Sequence, residues 1–133
     1  MEKQIAALAT DDGRMVMWDI DRVRADYRNA PWEEVAAERL IPQEWLMIDR
    51  EYARKTDVSK PVIVFALPEG LLYIADGNHR VYRAAVEKIA TMKVICLSEQ
   101  EHLQYLFRSS EDDYRHVTGG LRDAGIFIAP LKE

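Results

Sequence analysis

Apolar residues fall in short clusters whose period changes along the chain. Gln4 to Thr10 and Arg14 to Ile20 are two brief apolar runs separated by Asp11-Asp12-Gly13, and an Asp-Gly step between such runs predicts a β-hairpin. After Pro31, residues 32, 35, 36 and 40 are apolar at helical spacing, which predicts a helix over Trp32 to Leu40, ended by Pro42. A second helix is expected over Trp45 to Arg54, then a polar loop from Thr56 to Lys60. Val62 to Leu67 is β-branched and apolar, and Pro68-Glu69-Gly70 turns it into Leu71 to Ala75, so a hairpin of two strands is expected.

From Val81 to Ile89 the period becomes helical, with Val81, Tyr82, Ala85, Val86 and Ile89 as the expected buried stripe. Arg80, Arg83 and Glu87 share the other face, where Arg83 can pair with Glu87 one turn on. Met92 to Leu97 reads as a strand. Ser98 with Glu101 has the form of a capping box and predicts a helix to about Arg108. Ser110 starts a further helix with Glu111-Asp112-Asp113 in its first turn and Gly119-Gly120 as its end, and Ile126 to Ile128 suits a last short strand. The order of elements predicts one compact α/β domain over residues 1–133: a small mixed sheet with helices around it. No internal repeat, low-complexity stretch or interdomain linker is visible.

Composition narrows the function classes. Of 133 residues, 48% are hydrophobic, which predicts a globular protein rather than disorder. No run approaches the roughly 20 apolar residues that span a bilayer, and the start lacks the basic-then-apolar order of a secretion signal. A cytoplasmic protein without membrane attachment is therefore expected. The net charge of −5 disfavours nonspecific DNA coating. Cys96 is the single cysteine, has no internal disulfide partner, and is expected in the core. His102 and His116 show no partner pattern and are expected at the surface. Trp18, Trp32 and Trp45 suit core or groove lining, and one of them is a candidate to stack on a nucleobase.

The chemistry concentrates at Asp76-Gly77-Asn78-His79-Arg80, between an expected strand and an expected helix. A helix start carries unpaired N–H groups and partial positive charge, so acidic residues are usual there. Here His79 and Arg80 occupy it, with Arg83 one turn on and Glu87 as the first acid inside the helix. That arrangement predicts a bound phosphate or carboxylate. The plainer reading makes this a strand-to-helix turn with Asp76 or Asn78 as cap, and an Arg83–Glu87 pair at the surface.

The order strand, turn, strand, G-x-H-R, helix, strand resembles the ParB/sulfiredoxin superfamily, best over residues 61 to 108. Partition proteins of this superfamily carry G-E-R-R-x-R-A-A at this place, sulfiredoxins G-C-H-R, and free serine kinases D-G-x-H-R-like sequences. The resemblance implies that this turn holds the phosphates of ATP or CTP with Mg²⁺. Gly77 would let the backbone approach, and Asn78, His79 and Arg80 would contact the phosphates. Arg83 lies one residue past the second arginine of the partition pattern. Asn78 stands where sulfiredoxins have cysteine, which excludes their thiol chemistry at that position. The chain ends near where a partition protein would continue into a helix-turn-helix. Asp76 matches the kinase-like branch, in which a catalytic acid also follows a Pro-x-Glu step, here Pro42-Gln43-Glu44. The implied function is nucleoside-triphosphate binding with phosphoryl chemistry, hydrolysis or transfer to a small acceptor, with Asp76 and Glu44 as catalytic acids or metal holders. The alternative is a non-catalytic regulatory or adaptor domain with a protein partner. A ParB-like nuclease is a third reading, disfavoured by the acidic surface.

Overall fold

A computed structural model describes residues 3–40 and 49–123, the last three as backbone only. Strands β1 (Ile5–Ala9) and β2 (Met15–Asp19) form the expected hairpin, antiparallel from Ile5 opposite Asp19 to Ala9 opposite Met15. Helix α1 (Ile20–Asp26) follows directly, capped by the Asp19 carboxylate, which accepts from the Arg22 N–H. Then come β3 (Glu33–Ala36), a 3₁₀ turn over Ala37–Arg39, and α2 (Arg50–Arg54). β4 (Val62–Ala66), a 3₁₀ turn at Pro68–Gly70, and β5 (Leu72–Asp76) make the second expected hairpin. α3 (Asn78–Val86), β6 (Thr91–Leu97), α4 (Glu99–His102) and α5 (Glu111–Asp123) complete the order.

The main sheet runs β3-β6-β4-β5. Among the described strands only β4 and β6 pair in parallel, and α3 makes the crossover between the β4–β5 hairpin and β6. The α/β class expected from the sequence is the class observed. Both faces of the sheet are covered. On one face α3 packs its Gly77 end and Val81 toward Val62 and Val64. On the other face Phe65 meets Trp18 of β2, with ring centroids 5.2 Å apart.

Several expectations need correction. Trp32 to Leu40 is not a helix: Glu33 to Ala36 pairs antiparallel with β6, because the sheet edge offers ladder hydrogen bonds that an isolated, marginally periodic segment cannot match. The buried side of α3 is Val81 with Ala84, whereas Ala85 is exposed and Val86 is 62% exposed. The capping box at Ser98 and Glu101 forms as expected, but α4 stops at His102 and passes into a 3₁₀ turn. α5 continues through Gly119-Gly120, and Asp113 and Ser110 bond reciprocally at its start. Cys96 is exposed rather than core.

His102 is fully buried rather than superficial. Its Nδ1 accepts from Trp18 Nε1–H at 3.3 Å, which leaves Nε2–H to donate to the Ala66 carbonyl at 2.7 Å. Of the helix expected over Trp45 to Arg54, α2 forms the end, while its first part (45–48), the strand expected at 126–128 and Glu44 lie outside the described residues. Among the described residues no helix is long and apolar enough to cross a membrane.

Candidate functional site

The site begins with a one-residue irregularity in β5. Val64 pairs with Ile74, but Ile63 pairs with Asp76, so Ala75 is an extra residue, a β-bulge. Side chains alternate between sheet faces, so the extra residue brings Asp76 level with Ile63 instead of Val62. Ile63 also pairs with Ile95 across the parallel ladder. Ile95, Ile63 and Asp76 therefore form one row on the face away from α3. All three line a cavity of about 680 Å³.

Asp76 is the electrostatic centre of that cavity. Arg24 of α1 grips it bidentately, Nε to Oδ2 at 2.9 Å and Nη2 to Oδ1 at 2.6 Å. Arg80 Nη2 adds a bond to Oδ2 at 3.3 Å. Burial pushes the Asp76 carboxyl up, but the Arg24 and Arg80 guanidiniums outweigh it and hold the carboxyl below its usual range. Arg80 Nη1 also donates to the carbonyls of Pro61 (2.5 Å) and Lys60 (3.4 Å), which ties the start of α3 to the segment leading into β4.

Further cations come from other segments. Arg28, two residues past the end of α1, lines the cavity, as do Lys55 and Lys60 at the two ends of the loop before β4. Five cationic side chains thus face two carboxylates, Asp76 and Asp57, on a chain whose net charge is −5. Among the described residues Arg28, Lys55 and Lys60 make no salt bridge. Tyr27 and Tyr52 supply aromatic walls.

The sequence-predicted residues divide between this cavity and structural duties. Asp76 and Arg80 line it. Gly77 is the N-cap of α3 at φ +113°, and a Cβ there would come within 3.1 Å of Val62 Cγ2, so its role is close packing of helix on strand. Neither Asp76 nor Asn78 caps the helix: no side chain bonds its first N–H groups. Asn78 Nδ2 donates to the Ile74 carbonyl at 3.3 Å, and its Oδ1 is buried without a partner among the described residues.

His79 Nε2 accepts from the Asp49 N–H at 3.2 Å and packs edge-on against Tyr52, joining α3 to α2. Arg83 pairs with Glu87 at 2.6 Å, the surface pair expected, and donates to the Thr56 carbonyl. The positive charge at the start of α3 thus has an internal counter-charge in Asp76. Asp76 thus stands where an outside anion was expected. The cationic surplus comes instead from Arg28, Lys55 and Lys60, which sequence reasoning missed. No local spacing signalled them, because Arg28 lies past the C-cap of α1 and the two lysines flank the loop before β4.

The described residues hold no group of three or more His, Cys, Asp or Glu side chains placed for a metal. Asp76, with both oxygens under guanidinium groups, does not fit a resident Mg²⁺. No family model, curated protein or solved structure matches the chain significantly.

Proposed function

We propose that the protein binds a nucleoside triphosphate in this cavity, with the phosphates in the basin formed by Arg24, Arg28, Lys55, Lys60 and Arg80. The observation that carries the reading is the concentration of five cations, three of them free of salt bridges among the described residues, around one cavity of an acidic chain. The resemblance to the ParB/sulfiredoxin superfamily supports the same class of ligand. Arg28 and the two lysines would meet the outer phosphates as charge donors. Arg24 would divide its fork between Asp76 and the ligand. Mg²⁺ arrives as part of the triphosphate complex.

Of the two forms of this reading, binding alone has the firmer support. A general base needs a carboxylate free to take a proton, and Asp76 is held ionised in a double ion pair. The protein then acts as a nucleotide-responsive regulatory or adaptor domain. Phosphoryl transfer or hydrolysis is the second reading and draws on Glu44.

Calorimetric titration with the Mg²⁺ complexes of ATP, CTP and GTP tests binding, and phosphate release under the same conditions separates the two forms. Arg28→Ala makes the cleanest variant, because among the described residues Arg28 makes no salt bridge whose loss would disturb the fold. It should weaken binding by about 1.5–3 kcal/mol, the usual contribution of a charged hydrogen-bond partner. Absence of heat with all three nucleotides would end the proposal.

A further inference from the structure

Three side chains of α3 converge on a single segment of the chain. That segment, residues 49–60, brings Tyr52, Lys55 and Lys60 to the groove, while residues 24–28 bring Arg24, Tyr27 and Arg28. The two contributions are anchored differently. α1 buries Ile20 and Val23 in the core. Of residues 49–60 only Ala53 is buried, with Thr56 and Val58 half-buried. A single buried methyl group contributes little. The segment's own backbone bonds are local, such as Thr56 N–H to the Ala53 carbonyl and Lys60 N–H to the Asp57 carbonyl, both at 3.2 Å. Apolar burial therefore does not fix where this segment sits.

Polar contacts from α3 do. At the front of the segment His79 Nε2 accepts from the Asp49 N–H at 3.2 Å. In the middle Arg83 donates to the Thr56 carbonyl, next to Lys55. At the end Arg80 Nη1 donates to the carbonyls of Lys60 at 3.4 Å and Pro61 at 2.5 Å. His79, Arg80 and Arg83 stand at i, i+1 and i+4, hence on one side of the helix. Glu87 steadies Arg83 at 2.6 Å, and the close contact of Gly77 with Val62 pins the helix itself to β4. Each of the three grips backbone groups of the segment, not its side chains.

We infer that His79 and Arg83 are positioning residues of the cavity: they set its affinity for a polyphosphate by holding Tyr52, Lys55 and Lys60 in place. Neither of them lines the cavity, whereas Arg80 both lines it and holds the segment. This rests on the nucleotide reading above and assigns the shape of the basin to residues outside it. The chemistry of a clamp also differs from that of a ligand contact. An acceptor at 79 and a donor at 83 suffice for the clamp, while a phosphate contact needs a donor at both positions.

The experiment is calorimetric titration of the full chain with the Mg²⁺ complex of inorganic tripolyphosphate, with urea unfolding of each variant to establish that it is folded. Arg83→Ala should weaken binding by about tenfold, the scale of one charged hydrogen bond, and Arg83→Lys, which keeps a donor, should recover most of that loss. His79→Ala should weaken it by about threefold or more, the scale of one neutral hydrogen bond. His79→Gln, whose amide oxygen can accept the same N–H, should restore it. A double-mutant cycle separates the clamp from a direct contact. Lys55→Ala leaves four cations in the basin. In that background Arg83→Ala should cost less than about threefold, because part of what Arg83 positions is gone. Wild-type binding that both alanine variants leave within about twofold overturns the clamp and leaves the basin standing. So does a loss from Arg83→Ala as large in Lys55→Ala as in the wild type. Failure of the folded wild type to bind tripolyphosphate overturns the basin as well.

Discussion

Replacing Asp76 by Asn removes one negative charge and leaves the shape almost unchanged, so it isolates what that carboxylate does. Asp76 accepts three hydrogen bonds, two from Arg24 and one from Arg80. The Arg24 side chain is 45% exposed, so its share is screened and is about 0.5–1 kcal/mol. The Arg80 side chain is only 14% exposed, and without the carboxylate it keeps its charge with carbonyl acceptors alone. A charged hydrogen bond contributes about 1.5–3 kcal/mol, and the long 3.3 Å contact places Arg80 at the lower end. The expected loss for Asp76→Asn is therefore about 2–3 kcal/mol at pH 7, measured by urea unfolding with an unchanged slope.

The pH dependence gives a second check. The folded-state pKa of Asp76 lies below the ordinary 3.8, so its stabilisation is fully present above that value and fades as pH falls through the folded-state pKa. Stability curves of wild type and Asp76→Asn should converge below about pH 4. Tripolyphosphate should also protect the variant more than the wild type, because Arg24 is then freed from its internal partner. A loss under about 0.5 kcal/mol at pH 7, or a weaker polyphosphate affinity in the variant, would refute the reasoning.

Two further outcomes follow from the packing. Gly77→Ala combines a φ of +113° with a Cβ 3.1 Å from Val62, and should cost about 2–4 kcal/mol in the same unfolding assay; a change below about 1 kcal/mol would mean that the helix start can shift. His102 is held neutral, its pKa lowered below 6.5 by burial, so the unfolded chain takes up a proton before the folded one does. Stability should therefore fall as pH drops below about 6.5, and in His102→Gln, read by thermal melting from pH 7.5 to 5, that part of the slope should disappear.

The two hairpins and β6 were legible because their signals are local: an Asp-Gly step, a Pro-Glu-Gly turn and β-branched runs. β3 was not, because its four residues become a strand only through pairing with β6. The orientation of α3 was missed for a related reason. Three small or β-branched residues, Ala84, Ala85 and Val86, leave the buried side to be decided by the close contact of Gly77 with Val62. His102 looked like a surface residue because its partners are Trp18, 84 positions away, and Ala66, 36 away. For the site, Asp76 and Arg80 stood out because a single stretch holds both. Arg24, Arg28, Lys55 and Lys60 come from separate segments, and only the folded chain brings them to one cavity. His79 and Arg83 belong to the same conspicuous stretch, yet they serve α2 and the loop before β4.

The bulge at Ala75 makes the charge of the groove a matter of odd or even count. With one residue fewer in β5, the same aspartate would point beneath α3, among valines, and its two arginines would face the cavity unopposed. Substitutions near this strand change the strength of the site by degrees, but an insertion or deletion of a single codon would turn it over in one step.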